Sequence, residues 1–201
     1  DALLARKRLF FVLSTGRCGT VSLADLLNQA EGTTALHEPV WLDYVALKGA
    51  YQSPRKAMAY IAHYRKHKIC DLVRRNPASH TYGETSFMLS FFARALKAHF
   101  PHCQLVHLVR DGRDVVRSLI NRGYYHPDNM NEDMQYRTIA PTPDSPYAER
   151  WERMDQFERC CWRWMITNAT IMKSAAPVAR FEEIMTDYGA FQEQLAVPVG
   201  L

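Results

Sequence analysis

Arg17 is the one cation in STGRCGTVSL, residues 14–23, a stretch that follows the apolar run LFFVL and is punctuated by Gly16 and Gly19. Two glycines three positions apart permit a turn whose backbone N–H groups point inward, and a helix start just beyond adds its positive dipole end. Such a stretch suits an anion. The common phosphate loop places a lysine after its last glycine; here that position is Thr20, a hydroxyl donor, and the fixed charge sits earlier. A guanidinium offers a planar fork to phosphate-like oxygens, so the loop can hold a phosphoryl or sulfuryl group without that lysine. An ordinary strand-to-helix turn that uses glycine for its backbone freedom would carry the same residues.

A second charged junction is HLVRDGRDVVRSLINR at 107–122, where Arg110 ends an apolar stretch and Ser118 follows two helical turns later. Together these two could grip a further phosphate. Asp111 suits a helix cap, while Arg113, Asp114, Arg117 and Arg122 read as charges solvating the helix. Candidate proton acceptors stand in ALHEPV at 35–40, which places His37 and Glu38 before Pro39, and in YGETS, which contains Glu84. Each has an ordinary alternative: a polar strand exit for His37 and Glu38, a helix cap for Glu84. The eight histidines and five cysteines show no metal-ligand spacing, so neither a zinc site nor another metal is expected.

Taken in order, STGRCGT at 14–20 and RDGRDVVRS at 110–118 resemble the two nucleotide-binding motifs of the sulfotransferase superfamily that uses 3′-phosphoadenosine 5′-phosphosulfate (PAPS). The likeness is nearest to its carbohydrate-acting, bacterial-type members. ARFEEIM at 179–185 is similar to the family's late strand, so the resemblance extends over most of the chain. It implies a P-loop kinase-like α/β fold and metal-free transfer of a sulfuryl group from PAPS to a hydroxyl, with 3′-phosphoadenosine 5′-phosphate (PAP) as product.

The resemblance makes Gly16, Arg17, Cys18, Gly19, Thr20 and Val21 the phosphosulfate loop, with Cys18 acting through its backbone N–H. It makes Arg110 and Ser118 the 3′-phosphate pair and Phe181 a border of the adenine. Arg17 becomes the charge stabiliser. Glu38 is the first choice of base, as the glutamate before proline in the sugar-modifying branch; His37, the base type of the phenol-acting branch, is the second and Glu84 the third. Two departures stand out: Val21 replaces a common hydroxyl residue, and the chain reaches Leu201 without the basic-glycine segment that closes over the nucleotide in many members.

The elements that must position these residues are visible as changes of period. Residues 9–13 form a strand-length apolar run, and Leu23, Leu26, Leu27 and Ala30 recur at helical spacing after the turn. Residues 33–36 suit a second strand, 57–75 a helix and 80–83 a short extended piece. Met88, Phe91, Phe92, Ala95 and Leu96 make an amphipathic stripe that ends at Pro101. A strand is expected at 104–109, then a helix stopping at Gly123. Residues 124–147 read as a long, mobile surface loop opened by Tyr124, Tyr125 and His126, residues that could touch an acceptor. A helix over 148–174, with Phe157, Cys161, Trp164, Asn168 and Met172 on one side, and a last strand over 178–181 complete the pattern. Trp151, Trp162 and Trp164 read as core and rim, with one of them free to stack on a sugar. This alternation predicts a three-layer α/β sandwich with a mainly parallel, P-loop NTPase-like sheet.

With 201 residues the chain is expected to form one sulfotransferase domain over 1–201, with truncation of its C-terminal end left open. The charge of +4 lacks a polybasic block, so nucleic acid is not an expected partner. No membrane span is expected, and five cysteines without disulfide spacing suit a cytoplasmic, soluble domain from which a signal or anchor could have been lost. The acceptor is expected to be a small-molecule or glycan hydroxyl, and the oligomeric state is not legible. Two other classes stay open: a P-loop kinase of a small molecule or nucleotide, and a non-catalytic nucleotide-binding module.

Overall fold

The apolar run after Lys7 becomes β1 (Arg8–Ser14), in which every residue past Arg8 is buried. Phe10 and Phe11 point to opposite faces and both are fully covered, as a strand flanked by helices on two sides requires. The computed structural model describes residues 3–129 and 131–201. Around β1 lie β2 (Thr33–His37), β3 (Thr81–Ser86), β4 (Gln104–Val109) and β5 (Val178–Arg180) in the order β2-β3-β1-β4-β5. Every pairing is parallel. One face packs Phe11, Leu13, Tyr82 and Leu105 under one set of helices; the other packs Phe10, Val12, Val106 and Leu108 under a second. The expected three-layer sandwich is therefore present, with a wholly parallel sheet.

The first turn leads into α1 (Thr20–Leu27), which buries Leu23, Ala24 and Leu27; Leu26 is turned outward and Ala30 lies past its end. Residues 41–56, where no element was expected, carry α2 (Leu42–Gln52) and the start of α3 (Pro54–Tyr60). Ser53 accepts from the Lys56 N–H and Pro54 occupies the first helical position, so the Ser-Pro pair starts the helix three residues before its expected beginning. That helix continues through a widened turn (Ile61–Arg65) into α4 (Lys66–Arg75). Residues Met88–Phe92 form a tight 3-10 turn ahead of α5 (Ala93–His99).

β3 runs three residues beyond its expected end because GETS is enclosed between β1 and β2, with all six strand residues buried. Apart from the Thr81 hydroxyl, its polar side chains find partners inside the protein. Glu84 accepts from Arg65 and, at 2.6 Å, from Tyr82, while Arg65 also donates to Asp43 at 3.0 Å and Tyr60 donates to Asp43 at 2.7 Å. Arg65, Asp43 and Glu84 are all fully buried. Glu84 is thus neither a helix cap nor a free base; it anchors α2 and the widened turn to the sheet. Removing one member leaves uncompensated buried charge, so Arg65→Ala is expected to cost about 3–5 kcal/mol of stability, measurable by urea unfolding.

After β4, α6 (Gly112–Asn121) starts at Asp111, whose side chain accepts from the Arg113 N–H at 2.8 Å, and ends before Gly123. The segment expected as a mobile loop is tethered. It contains α7 (Glu132–Arg137), and the Tyr125 hydroxyl donates to the Ile139 carbonyl at 2.8 Å with both residues buried. Next, α8 (Gln156–Met172) begins later than expected, at an Asp155–Glu158 capping box. Its buried residues are Cys160, Trp162, Arg163, Thr167, Asn168 and Ile171; of the anticipated stripe Asn168 is buried and Cys161 and Trp164 pack against the core, while Phe157 and Met172 are more than half exposed. Phe181 opens a short helix, α9 (Phe181–Ile184), instead of ending β5.

Candidate active site

Register brings the sequence motifs to one edge of the sheet. Leu13 pairs with Ser86 and with His107, and His37 pairs with Thr85, so residues just beyond β1, β2 and β4 emerge together. The chain passes from β1 to one side of the sheet for β2 and β3 and to the other for β4 and β5. The 14–20 loop lies at that switch, where parallel sheets open a crevice.

Three of four consecutive loop residues have left-handed backbone: Gly16 at φ 80°, Arg17 at 61° and Gly19 at 65°. This conformation aims successive N–H groups into one hollow. Gly19 is required twice over, since a Cβ there would also lie 2.6 Å from the Phe181 ring. As the N-cap of α1 it offers no side chain to the first helical N–H groups, which are left for another acceptor. The Cys18 side chain turns inward to Thr15 and to the Gly16 carbonyl, and burial pushes its thiol pKa up, so only its backbone suits ligand contact. The Thr20 carbonyl accepts from the Thr85 hydroxyl at 2.8 Å, and Val21 is exposed at the cavity mouth.

The two basic motifs are joined directly. Arg17 Nε donates to Ser118 Oγ at 2.9 Å, and Arg110 Nη1 donates to the Arg17 carbonyl at 2.8 Å. Arg110 lies 4.8 Å over the Phe181 ring and 3.6 Å from Asp114, while its Nε is buried without a hydrogen-bond partner. Phe181 therefore supports Arg110 and the loop.

At the end of β2, His37 Nδ1 lies 3.1 Å from the Thr85 carbonyl. A carbonyl only accepts, so Nδ1 carries the proton of the neutral ring and Nε2 keeps its lone pair. Nε2 is 3.7 Å from Glu38 Oε2. Glu38 has left-handed backbone, φ 45°, which turns its carboxylate back to accept from the Tyr44 hydroxyl at 2.7 Å. Burial, and then the Glu38 carboxylate, push the Tyr44 pKa up, so it remains a neutral donor. Arg137 lies 4.4 Å over the Tyr44 ring.

One cavity of about 430 Å³ gathers loop residues 15–17 and 19–21, His37, Glu38, Arg110, Phe87, Tyr124, Arg122 and Arg137. Ser118, Cys18 and Phe181 back its wall, and Glu84 is not part of its lining. Arg122, which reads as a solvated helix charge, lines the cavity; its spacing of four from Ser118 was the available signal. Tyr44 and Arg137 left no such signal. A larger groove of about 920 Å³ between α6 and α8 has Trp162 and Trp164 in its walls but holds none of the candidate donor-binding or base side chains. Among the described residues no group of three His, Cys, Asp or Glu side chains is placed to hold a metal ion, and no helix is long and apolar enough to cross a membrane.

No family model and no curated protein sequence matches the chain. Among solved structures it is similar to a sulfotransferase from Alicyclobacillus acidocaldarius, with 14% identity and a TM-score of 0.58 over 97% of this chain and 81% of that chain. The two share a fold. The 14–20 loop, the basic strand–helix junction and the His37–Glu38 pair thus lie on one edge of the parallel sheet of that shared fold.

Proposed function

We propose that the chain is a sulfotransferase that moves a sulfuryl group from PAPS to a hydroxyl of a carbohydrate or glycoconjugate, working as one domain over 1–201 in the cytoplasm. The observation that supports this reading is the Arg17–Ser118 and Arg110–Arg17 contact pair, which joins the two motifs. The unpartnered buried Nε of Arg110 and the open N–H groups at the start of α1 are the donors such a bisphosphorylated nucleotide needs. The carbohydrate assignment rests on the motif resemblance, supported by the Glu38-Pro39 pair at the end of β2.

When bound, PAPS supplies the sulfuryl group. Glu38 accepts the acceptor's hydroxyl proton as the new oxygen–sulfur bond forms, with His37 Nε2 alongside it. Arg17 and the loop N–H groups hold the negative charge that gathers on the phosphate oxygens as the sulfur–oxygen bond to phosphate breaks and PAP forms. Thr20, where a phosphate loop of the kinase type has lysine, argues against ATP as donor. The test is thermal shift with PAP against ATP plus Mg²⁺. A rise in Tm with PAP and none with ATP is expected; a preference for ATP would favour the kinase reading.

Donor contacts give a further expected result. Arg110→Ala should weaken PAP by about 10- to 100-fold, the size of a lost charge-assisted contact, and adenosine 5′-phosphosulfate, which lacks the 3′-phosphate, far less. Ser118→Ala also removes the partner of Arg17 Nε and should weaken both ligands. Titration calorimetry separates the two patterns, and equal losses in Arg110→Ala would make that residue structural.

A further inference from the structure

Four arginines line the site cavity, Arg17, Arg110, Arg122 and Arg137, and Glu38 is the one acidic residue among its described lining residues, while Asp114 and Asp133 pair with Arg110 and Arg137 from outside that lining. Arg17 and Arg110 belong to the donor side, joined to the loop. Arg137 does not. It is carried by α7 and lies on the ring of Tyr44, whose hydroxyl holds Glu38. A hydroxyl that reaches Glu38 therefore comes to rest beside Arg137. The Arg137 Nε donates to Asp133 at 2.8 Å, which fixes the side chain and uses one of its five N–H groups.

A second, independent observation lies behind the cavity wall. Arg163 is 1% exposed, with its guanidinium 5.5 Å from the Phe87 ring and 5.3 Å from the Tyr124 ring, the two aromatic walls of the cavity. Its Nε and Nη1 are buried without hydrogen-bond partners, and among the described residues no carboxylate forms an ion pair with it. A buried charge so placed is costly. An anion lodged between those rings and Arg137 would offset part of that cost, because attraction across a low-dielectric wall is weakly screened.

Resting on the sulfotransferase reading, we infer that the acceptor is itself an anion: a ring-shaped hydroxyl compound bearing a carboxylate close to the hydroxyl that receives the sulfuryl group. Phe87 and Tyr124 supply flat walls for the ring, and Arg137 takes the carboxylate. The reacting hydroxyl is left at Glu38. The shared chemistry covers a sugar acid and an aromatic hydroxy acid, which two matched pairs distinguish.

Ligand-observed NMR on the PAP-loaded protein would compare methyl glucoside with methyl glucuronide, and 2-hydroxybenzyl alcohol with 2-hydroxybenzoate. In at least one pair the acid is expected to bind about tenfold more tightly or better, the effect of one charge-assisted contact. The pair that shows the preference identifies the ring type. Arg137→Gln, at a partly exposed position, should lower the acid-to-neutral affinity ratio about tenfold, with PAP affinity as the check on folding. No acid preference in either pair, or an unchanged ratio in Arg137→Gln, overturns the inference while PAP binding keeps the donor reading intact. Failure of the wild-type protein to bind PAP overturns both.

Discussion

Arg17→Ala is expected to lower the rate of sulfuryl transfer by about 10²- to 10³-fold, the loss associated with one preorganised donor at a site of developing charge. Its backbone is held in the left-handed region at φ 61° and its side chain is fixed by Ser118, so the guanidinium is already placed before any ligand arrives. Left-handed backbone disfavours a side chain of any kind, and alanine adds no new clash there, so the fold should survive. Arg17→Lys keeps the charge but loses the planar fork and the Nε contact, and should recover only part of the rate. Single-turnover measurements with radiolabelled PAPS give the chemical step separately from donor binding. Near-normal turnover in Arg17→Ala would remove this residue from the mechanism.

Glu38→Gln should abolish transfer while PAP still binds. The amide keeps the shape and can still accept from the Tyr44 hydroxyl, yet it cannot take a proton. His37→Ala should do less harm, since His37 Nε2 lies beside the carboxylate and its Nδ1–H is committed to the Thr85 carbonyl. Single-turnover rates of the two variants separate the roles. Retained transfer in Glu38→Gln together with lost transfer in His37→Ala would move the role of base to His37. Glu84 has left the contest, because Arg65 and Tyr82 consume its carboxylate inside the protein.

The larger parts of this molecule were legible along the chain for a physical reason. A strand buried on both faces needs a continuous apolar run, as at 9–13, and a tight strand-to-helix loop needs glycine at left-handed positions, as at 16 and 19. Both requirements are local, so residue order alone determined β1, β4, the loop and the parallel architecture. Partnership across the chain is another matter. Only the fold decided that Arg17 reaches Ser118, about a hundred positions away, and that Glu84 faces Arg65 inside the sheet while Glu38 opens to the cavity. Likewise only the fold brought Tyr44 and Arg137 to Glu38, and turned Arg163 inward on a helix whose apolar spacing pointed to another face. Such pairings depend on which elements the sheet order makes neighbours, and burial sets which polar side chains must find partners. Neither quantity has a period that a linear sequence can display.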